Sequence, residues 1–323
     1  MNGSKTSGIL KHLVASECPL IEESSRIKSF SFFILSVIVI TLASIITATL
    51  NGLVLVGIYR TPSLHTPSFF LLFGLALSDF AIGALAMPST VVPFVVYTIE
   101  DETLLKMWCW YRRIPNFILP WLSGVSVITL TLVSVDRMIA LHLNLRYPTI
   151  VTNKRVAIII AIVWIMTSLI ALIQIWATNW LLWLSIAVLA ICFIISCVNN
   201  AKILKIVRRH QREICQVRAP YNGNNQQNNM TSQRWKNTKN MLWIYGLFLV
   251  CYAPFMVTAV IINVGSSPPL AFFCFIASMG LVLLNSLFNP ILYCAKMSQI
   301  RRALAMQLPE RIRHWFRLTV QLQ

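Results

Sequence analysis

Asn285, Asn289, Pro290 and Tyr293 fall within nine residues of the last long apolar stretch, Asn285-Ser-Leu-Phe-Asn289-Pro290-Ile-Leu-Tyr293. Two carboxamides bring donors and acceptors, the tyrosine adds a hydroxyl, and the proline leaves one backbone carbonyl without its donor. Away from water each of these groups needs a partner. Other apolar stretches carry Asn51, Asp79, Ser126 and the adjacent pair Asp136-Arg137. Asp79 is the only acid deep inside such a stretch. A carboxylate there is expensive and is a candidate functional group by default. The plainer reading is an internally hydrogen-bonded acid that fixes helix packing. With Asn51, Ser126, Asn285 and Asn289 as neighbours, the oxygen set suits a hard cation. Arg137 can pair with Asp136 or extend its stem to an interface. Pro254, in Cys251-Tyr252-Ala253-Pro254, kinks any helix that contains it. Enzyme chemistry is excluded: no paired acids, metal cluster or nucleophile triad is present, and the five histidines are scattered.

The elements that hold these residues are long. The chain has 323 residues, 57% hydrophobic and 11% charged. Soluble domains carry about 25% charged residues. The apolar residues fall in seven blocks near Phe32–Tyr59, Pro67–Tyr97, Met107–Leu141, Val156–Ala177, Leu181–Val207, Trp235–Ile262 and Leu270–Cys294. A span needs about 20 residues at about 1.5 Å rise, and every block is long enough. The blocks lack the alternation of a membrane β-barrel. The fold expected is all-α: a seven-transmembrane helix bundle. Residues 1–29 lack an apolar core, so the first span is expected to act as its own insertion signal.

Charge orients the bundle. With the N-terminus outside, twenty of the 27 Lys and Arg residues lie on the cytoplasmic side, as the positive-inside rule requires. The net charge of +17 then reports a basic inner face that attracts anionic inner-leaflet lipids. Nucleic acid is a poor reading, because the basic residues border membrane spans. Three regions are expected: an extracellular tail over 1–29, a membrane domain over 30–295, and a cytoplasmic tail over 296–323. The connection at about Thr178–Trp180 is very short. The Asn- and Gln-rich loop at about 210–233 cannot bury a core and is expected to be structureless. Met297, Ile300, Leu304 and Leu308 recur at helical spacing among arginines, which suits a short amphipathic eighth helix on the membrane surface.

The order of these motifs resembles the rhodopsin-like (class A) family of G-protein-coupled receptors over the whole membrane region. The residues that carry the resemblance are Asn51, Leu75-Ala76-Leu77-Ser78-Asp79, Asp136-Arg137-Met138, Trp164, Cys251-Tyr252-Ala253-Pro254 and Asn289-Pro290-x-x-Tyr293. The resemblance implies a plasma-membrane receptor in which an outer ligand drives an outward swing of the sixth helix about Pro254. Arg137 would contact a helix of a heterotrimeric G protein, Leu145 would pack into it, and Tyr293 would turn inward. Asp79, Ser126, Asn285 and Asn289 would line a sodium site. The ligand pocket would draw on Leu119, Ser123, Tyr252, Phe255 and Leu283.

The chain also departs from the pattern. Met138 replaces a tyrosine, Tyr252 a tryptophan, and the fifth span lacks its proline. Arg234 stands where many members carry an acid, so a lock from the sixth helix to Arg137 is not expected and basal activity is expected to be raised. The second outer loop has no cysteine, which leaves Cys18, Cys109 and Cys274 as outer candidates, paired as Cys18–Cys109 or Cys18–Cys274. The short second loop and absent proline are similar to the melanocortin, lysophospholipid, cannabinoid and adenosine branch. Leu119 stands where amine receptors hold an acid, and no lysine is present for retinal. The ligand is then a small molecule, a lipid or a peptide. Two other functions are a receptor-like protein that no longer signals and an ion-coupled transporter, although the inverted repeats of the latter class are not seen.

Overall fold

The structure is a computed structural model that describes residues 30–92, 111, 113–143, 146–175, 178–217, 225–264 and 269–307. Among these, every regular element is helical. Seven helices are long and apolar enough to cross a membrane. We number them α1 (Phe30–Arg60), α2 (Pro67–Ala81, continued by a wide turn over Ile82–Ala86 to residue 92), α3 (Arg113–Leu143), α4 (Asn153–Gln174), α5 (Thr178–Val217), α6 (Asn225–Val264) and α7 (Pro269–Lys296). A short α8 spans Ser298–Ala305. One helical turn, Tyr147–Ile150, lies between α3 and α4.

Local chemistry sets several boundaries. Pro67 opens α2 at a position whose N–H would be unpaired anyway. Thr152 caps α4 by accepting from the Arg155 N–H. The wide π-type turn in α2 lies just before Pro88, which cannot donate to its own turn and so loosens the ladder. Gly83 sits in that turn and lies hard against α1. A Cβ there would come within 2.7 Å of the Ala48 nitrogen, and Ser44 Oγ donates to the Gly83 carbonyl at 2.7 Å.

The bundle is apolar outside and polar within. Ile158, Ile162, Ile165 and Leu169 on α4 are exposed, as are Ile191, Ile194 and Val198 on α5. Thr47, Asn51, Ser78, Asp79, Thr129, Ser134 and Asn289 are fully buried. A soluble protein shows the reverse, so the surrounding medium must be lipid. A large apolar cluster including Leu72, Leu75, Leu130, Phe248 and Ile300 fills the half toward Arg137. A smaller one, with Ala43, Ala86, Met87, Leu122 and Leu283, packs α1, α2, α3 and α7 above it.

Two connections differ from expectation. Thr178 already belongs to α5, and α5 and α6 together carry helix through Val217 and from Asn225. Much of the segment expected to be structureless therefore extends the two helices. Gln, Lys, Arg and Met are good helix formers, and an existing helix propagates without a new nucleus. Low hydrophobicity did not exclude helix here.

Candidate functional site

The buried polar residues form three levels along the bundle. The middle level is built around Asp79. Ser126 Oγ donates to Asp79 Oδ1 at 3.1 Å, and Asn289 Nδ2 donates to Oδ2 at 2.7 Å. One carboxylate thus ties α2 to α3 and α7. Asn285 is buried one helical turn before Asn289 on α7. Its Oδ1 and the Oδ1 of Asn289 have no hydrogen-bond partner. Asn51 acts on the backbone. Pro290 has no N–H, so the carbonyl four residues earlier, that of Ser286, loses its helical donor. Asn51 Nδ2 donates to that carbonyl at 3.0 Å, and to the Thr47 carbonyl at 3.0 Å. The first helix thereby repairs the seventh.

The second level lies at the Arg137 end. Asp136 is the hub. Its Oδ2 accepts from Ser68 Oγ at 2.7 Å and from Arg137 Nη2 at 2.9 Å, while Oδ1 accepts from the Tyr147 hydroxyl at 2.6 Å. Ser68 and Tyr147 also touch, at 3.0 Å. Burial, and then the adjacent Asp136 carboxylate, push the Tyr147 phenol up to about 12. Ser68 on α2 and Tyr147 in the connecting turn thus fix the end of α3. Nothing in the sequence singled out these two, because each is an ordinary residue far from Asp136 in the chain.

The third level is a cavity of about 290 Å³ at the opposite end, between α3, α4, α5, α6 and α7. Leu119 and Ser123 line it from α3, and Tyr252 and Phe255 from α6. Leu283 does not line it. The α7 residues that do are Phe275, Met279 and Val282, one helical stripe. Leu283 is turned a further 100° about the axis and packs into the smaller apolar cluster with Leu122 and Ala86. Among the described residues, no carboxylate, Lys, Arg or His lines the cavity. Tyr252 forms part of its floor and its ring meets that of Phe248 at a tilt of 42°, with centroids 4.6 Å apart. Phe248 is fully buried in the core toward Arg137. The run Phe248, Tyr252, Phe255 at steps of four and three was the available sign of this aromatic column.

Seven lipid-facing helices, a buried acid shared by three of them, and an Asp-Arg pair at one end match a known family. The family described as 7 transmembrane receptor (rhodopsin family) matches residues 50–182 and 174–293. The chain belongs to the rhodopsin family of seven-transmembrane receptors. It is a multi-pass membrane protein and a receptor of the G-protein-coupled class, not an enzyme. Relatives include melanocortin receptor 5 of Mus musculus, 25% identical over 94% of this chain and 94% of that protein. Adenosine receptor A3 of Ovis aries is 22% identical over 78% of this chain and 82% of its own length. Trace amine-associated receptor 13c of Danio rerio is 25% identical over 86% and 87%.

Asp79, Ser126 and Asn289 come together in this receptor, with Asn285 buried on the preceding turn of α7, and Tyr252 lines the cavity. Pro254 sits within α6 and Pro290 within α7. Tyr293 is fully buried, and its hydroxyl has no partner. Cys274 is a free thiol on an exposed part of α7. Cys18, Cys109 and Leu145 lie outside the described residues.

Proposed function

We propose that this receptor lies in the plasma membrane with its N-terminus outside, binds an uncharged, largely apolar ligand in the 290 Å³ cavity, and activates a heterotrimeric G protein. The observation that carries the reading is the tilted Tyr252–Phe248 ring contact, which joins the cavity floor to the core packed toward Arg137. A ligand that presses on Tyr252 favours one arrangement of α6 over another, and only such differential contact shifts the balance. Pro254 lies two residues beyond Tyr252 and supplies the pivot. Movement of α6 opens a groove beside Arg137, where a G-protein helix docks with Leu145 packing at its edge. Tyr293 turns toward the opened groove. The basic face around it meets anionic inner-leaflet lipids.

Among the described residues that line the cavity there is no carboxylate, Lys, Arg or His, which favours a neutral ligand, because a buried charge would go unanswered by them. Small neutral molecules and neutral lipids fit this chemistry better than a charged amine. The middle level fits a sodium ion. It offers one carboxylate, one hydroxyl and two amide oxygens that lack donors, a hard oxygen set. Asp79, Ser126, Asn285 and Asn289 would hold the ion and favour the resting arrangement.

The test is a library of neutral and charged compounds screened on surface-expressed receptor with a G-protein dissociation readout. Neutral compounds are expected to act, and Ser123→Phe, which fills the cavity, is expected to abolish the response without lowering surface expression. Responses confined to charged compounds, or undiminished in Ser123→Phe, would refute the ligand reading.

A further inference from the structure

Two of the polar side chains in the cavity wall serve their own helices. Thr167 Oγ1 donates to the Val163 carbonyl at 2.7 Å and to the Trp164 carbonyl at 3.3 Å, and Asn263 Nδ2 donates to the Ala259 carbonyl at 2.7 Å. Gln174 differs. It lines the cavity from the last residue of α4, and its Oε1 is buried with no hydrogen-bond partner. The end of its own helix cannot supply a donor. The open backbone groups at a helix C-terminus are carbonyls, acceptors like Oε1 itself. The next N–H, that of Ile175, already serves the Leu172 carbonyl at 3.3 Å.

An amide oxygen shut away from water and from protein donors is costly, and the cavity beside it is where a donor can come from. The last torsion of a glutamine side chain is broad, so the amide turns its oxygen toward the cavity at small cost. Helix register gives its level. A Cβ on Gly124 would meet Thr167 Cγ2 at 3.3 Å, which sets Thr167 level with Ser123 and Gly124 on α3. Gln174 lies seven residues further along α4, or about 10 Å farther from the Arg137 end. On the opposite wall Phe255 of α6 and Phe275 of α7 stack, with ring centroids 5.7 Å apart. The cavity thus offers an aromatic wall and, at its outer end, a carboxamide in need of a donor.

We propose that Gln174 sets ligand specificity: its carboxamide oxygen accepts from an N–H or O–H at one end of a neutral ligand whose apolar body lies along Phe255 and Phe275 toward Tyr252. Such a site admits alcohols, phenols and N–H amides. It disfavours the same molecules once that hydrogen is replaced by methyl, because the oxygen then stays unpaired. The inference rests on the ligand reading above and names the chemistry of the ligand's polar end.

The test uses the full chain in lipid nanodiscs and two matched pairs of probes: hexylphenol with its methyl ether, and N-hexylbenzamide with its N-methyl derivative. Affinity is read from the rise in unfolding midpoint with probe concentration, in the parent, in Gln174→Met and in Ser123→Phe. Methionine keeps the length of the side chain and drops the amide. The preference for the donor-bearing member of each pair is expected to fall about five-fold or more from the parent to Gln174→Met. Comparing ratios removes any difference in lipid partitioning within a pair. The probe-free midpoint is expected to hold or rise, because the oxygen removed is unpaired. An unchanged preference overturns the proposal, and leaves the ligand reading standing where Ser123→Phe weakens both members. A probe-free midpoint lowered in Gln174→Met would mean that the oxygen is paired in the receptor, and overturns the proposal too. Equal shifts in the parent and in Ser123→Phe would mean that the cavity takes neither pair, and overturn the proposal together with the ligand reading.

Discussion

Asn51→Leu should destabilise the receptor through the backbone of a different helix. Asn51 Nδ2 substitutes for the donor that Pro290 lacks, at 3.0 Å from the Ser286 carbonyl. Its second acceptor, the Thr47 carbonyl, keeps the ordinary helical bond from residue 51. The cost therefore falls on one carbonyl. Ser286 is fully buried, and an unpaired buried carbonyl costs about 1–3 kcal/mol. Side-chain hydrogen bonds inside membranes average about 0.6 kcal/mol and reach about 1.7 kcal/mol. Leucine also removes Asn51 Oδ1, which has no partner, and this offsets part of the loss. A net destabilisation of about 1–2 kcal/mol follows from these two ranges. Pro290→Ala restores an N–H that can pair with the Ser286 carbonyl. In that background Asn51→Leu should cost less than about 0.5 kcal/mol, so the double-mutant cycle should show a coupling near 1 kcal/mol. The assay is reversible denaturant unfolding of the four proteins in one bilayer mimetic. Additive effects, within about 0.3–0.5 kcal/mol, would refute the claim that Asn51 repairs the proline break.

Other outcomes follow from the same geometry. Raising sodium from trace to about 0.15 M should raise the unfolding midpoint of the parent but not of Asp79→Asn, and equal shifts with potassium would remove sodium from the account. Gly83→Val should cost about 1–3 kcal/mol of stability, since a Cβ at that position meets α1 backbone at 2.7 and 3.1 Å; a neutral effect in unfolding experiments would contradict that helix contact. Tyr147→Phe should be less stable than the parent at neutral pH. The Tyr147 phenol is pushed up to about 12 from an unfolded value near 10, so its stabilising contribution is complete below about 10 and is lost as pH rises toward about 12. The deficit of Tyr147→Phe should therefore shrink over that window, and a constant deficit would show that the phenol is neither buried nor held against Asp136.

The sequence made the seven spans legible because lipid imposes length and composition on each independently of its neighbours. It also exposed the polar interior, since Asp79, Asn51 and Asn289 are conspicuous against an apolar background. What it hid depends on helix phase and on contacts between distant segments. Leu283 and Val282 differ by one position, yet only Val282 reaches the cavity. Ser68 and Tyr147 lie 68 and 11 positions from Asp136 and carry no motif. Phe248 and Tyr245 sit in a continuous apolar run, where only the assembled bundle distinguishes core from lipid. The polar end of α5 and the Asn- and Gln-rich start of α6 look structureless by composition, but they extend helices already nucleated inside the membrane.

The central claim is that the Arg137 end of the bundle couples to a G protein. Reconstituted parent chain and Arg137→Ala, at equal density and with equal unfolding midpoints, give the most direct comparison when nucleotide exchange is measured on purified heterotrimer. Exchange above the empty-nanodisc rate in the parent, and at that rate in Arg137→Ala, is the predicted result; indistinguishable rates from the two proteins would contradict it.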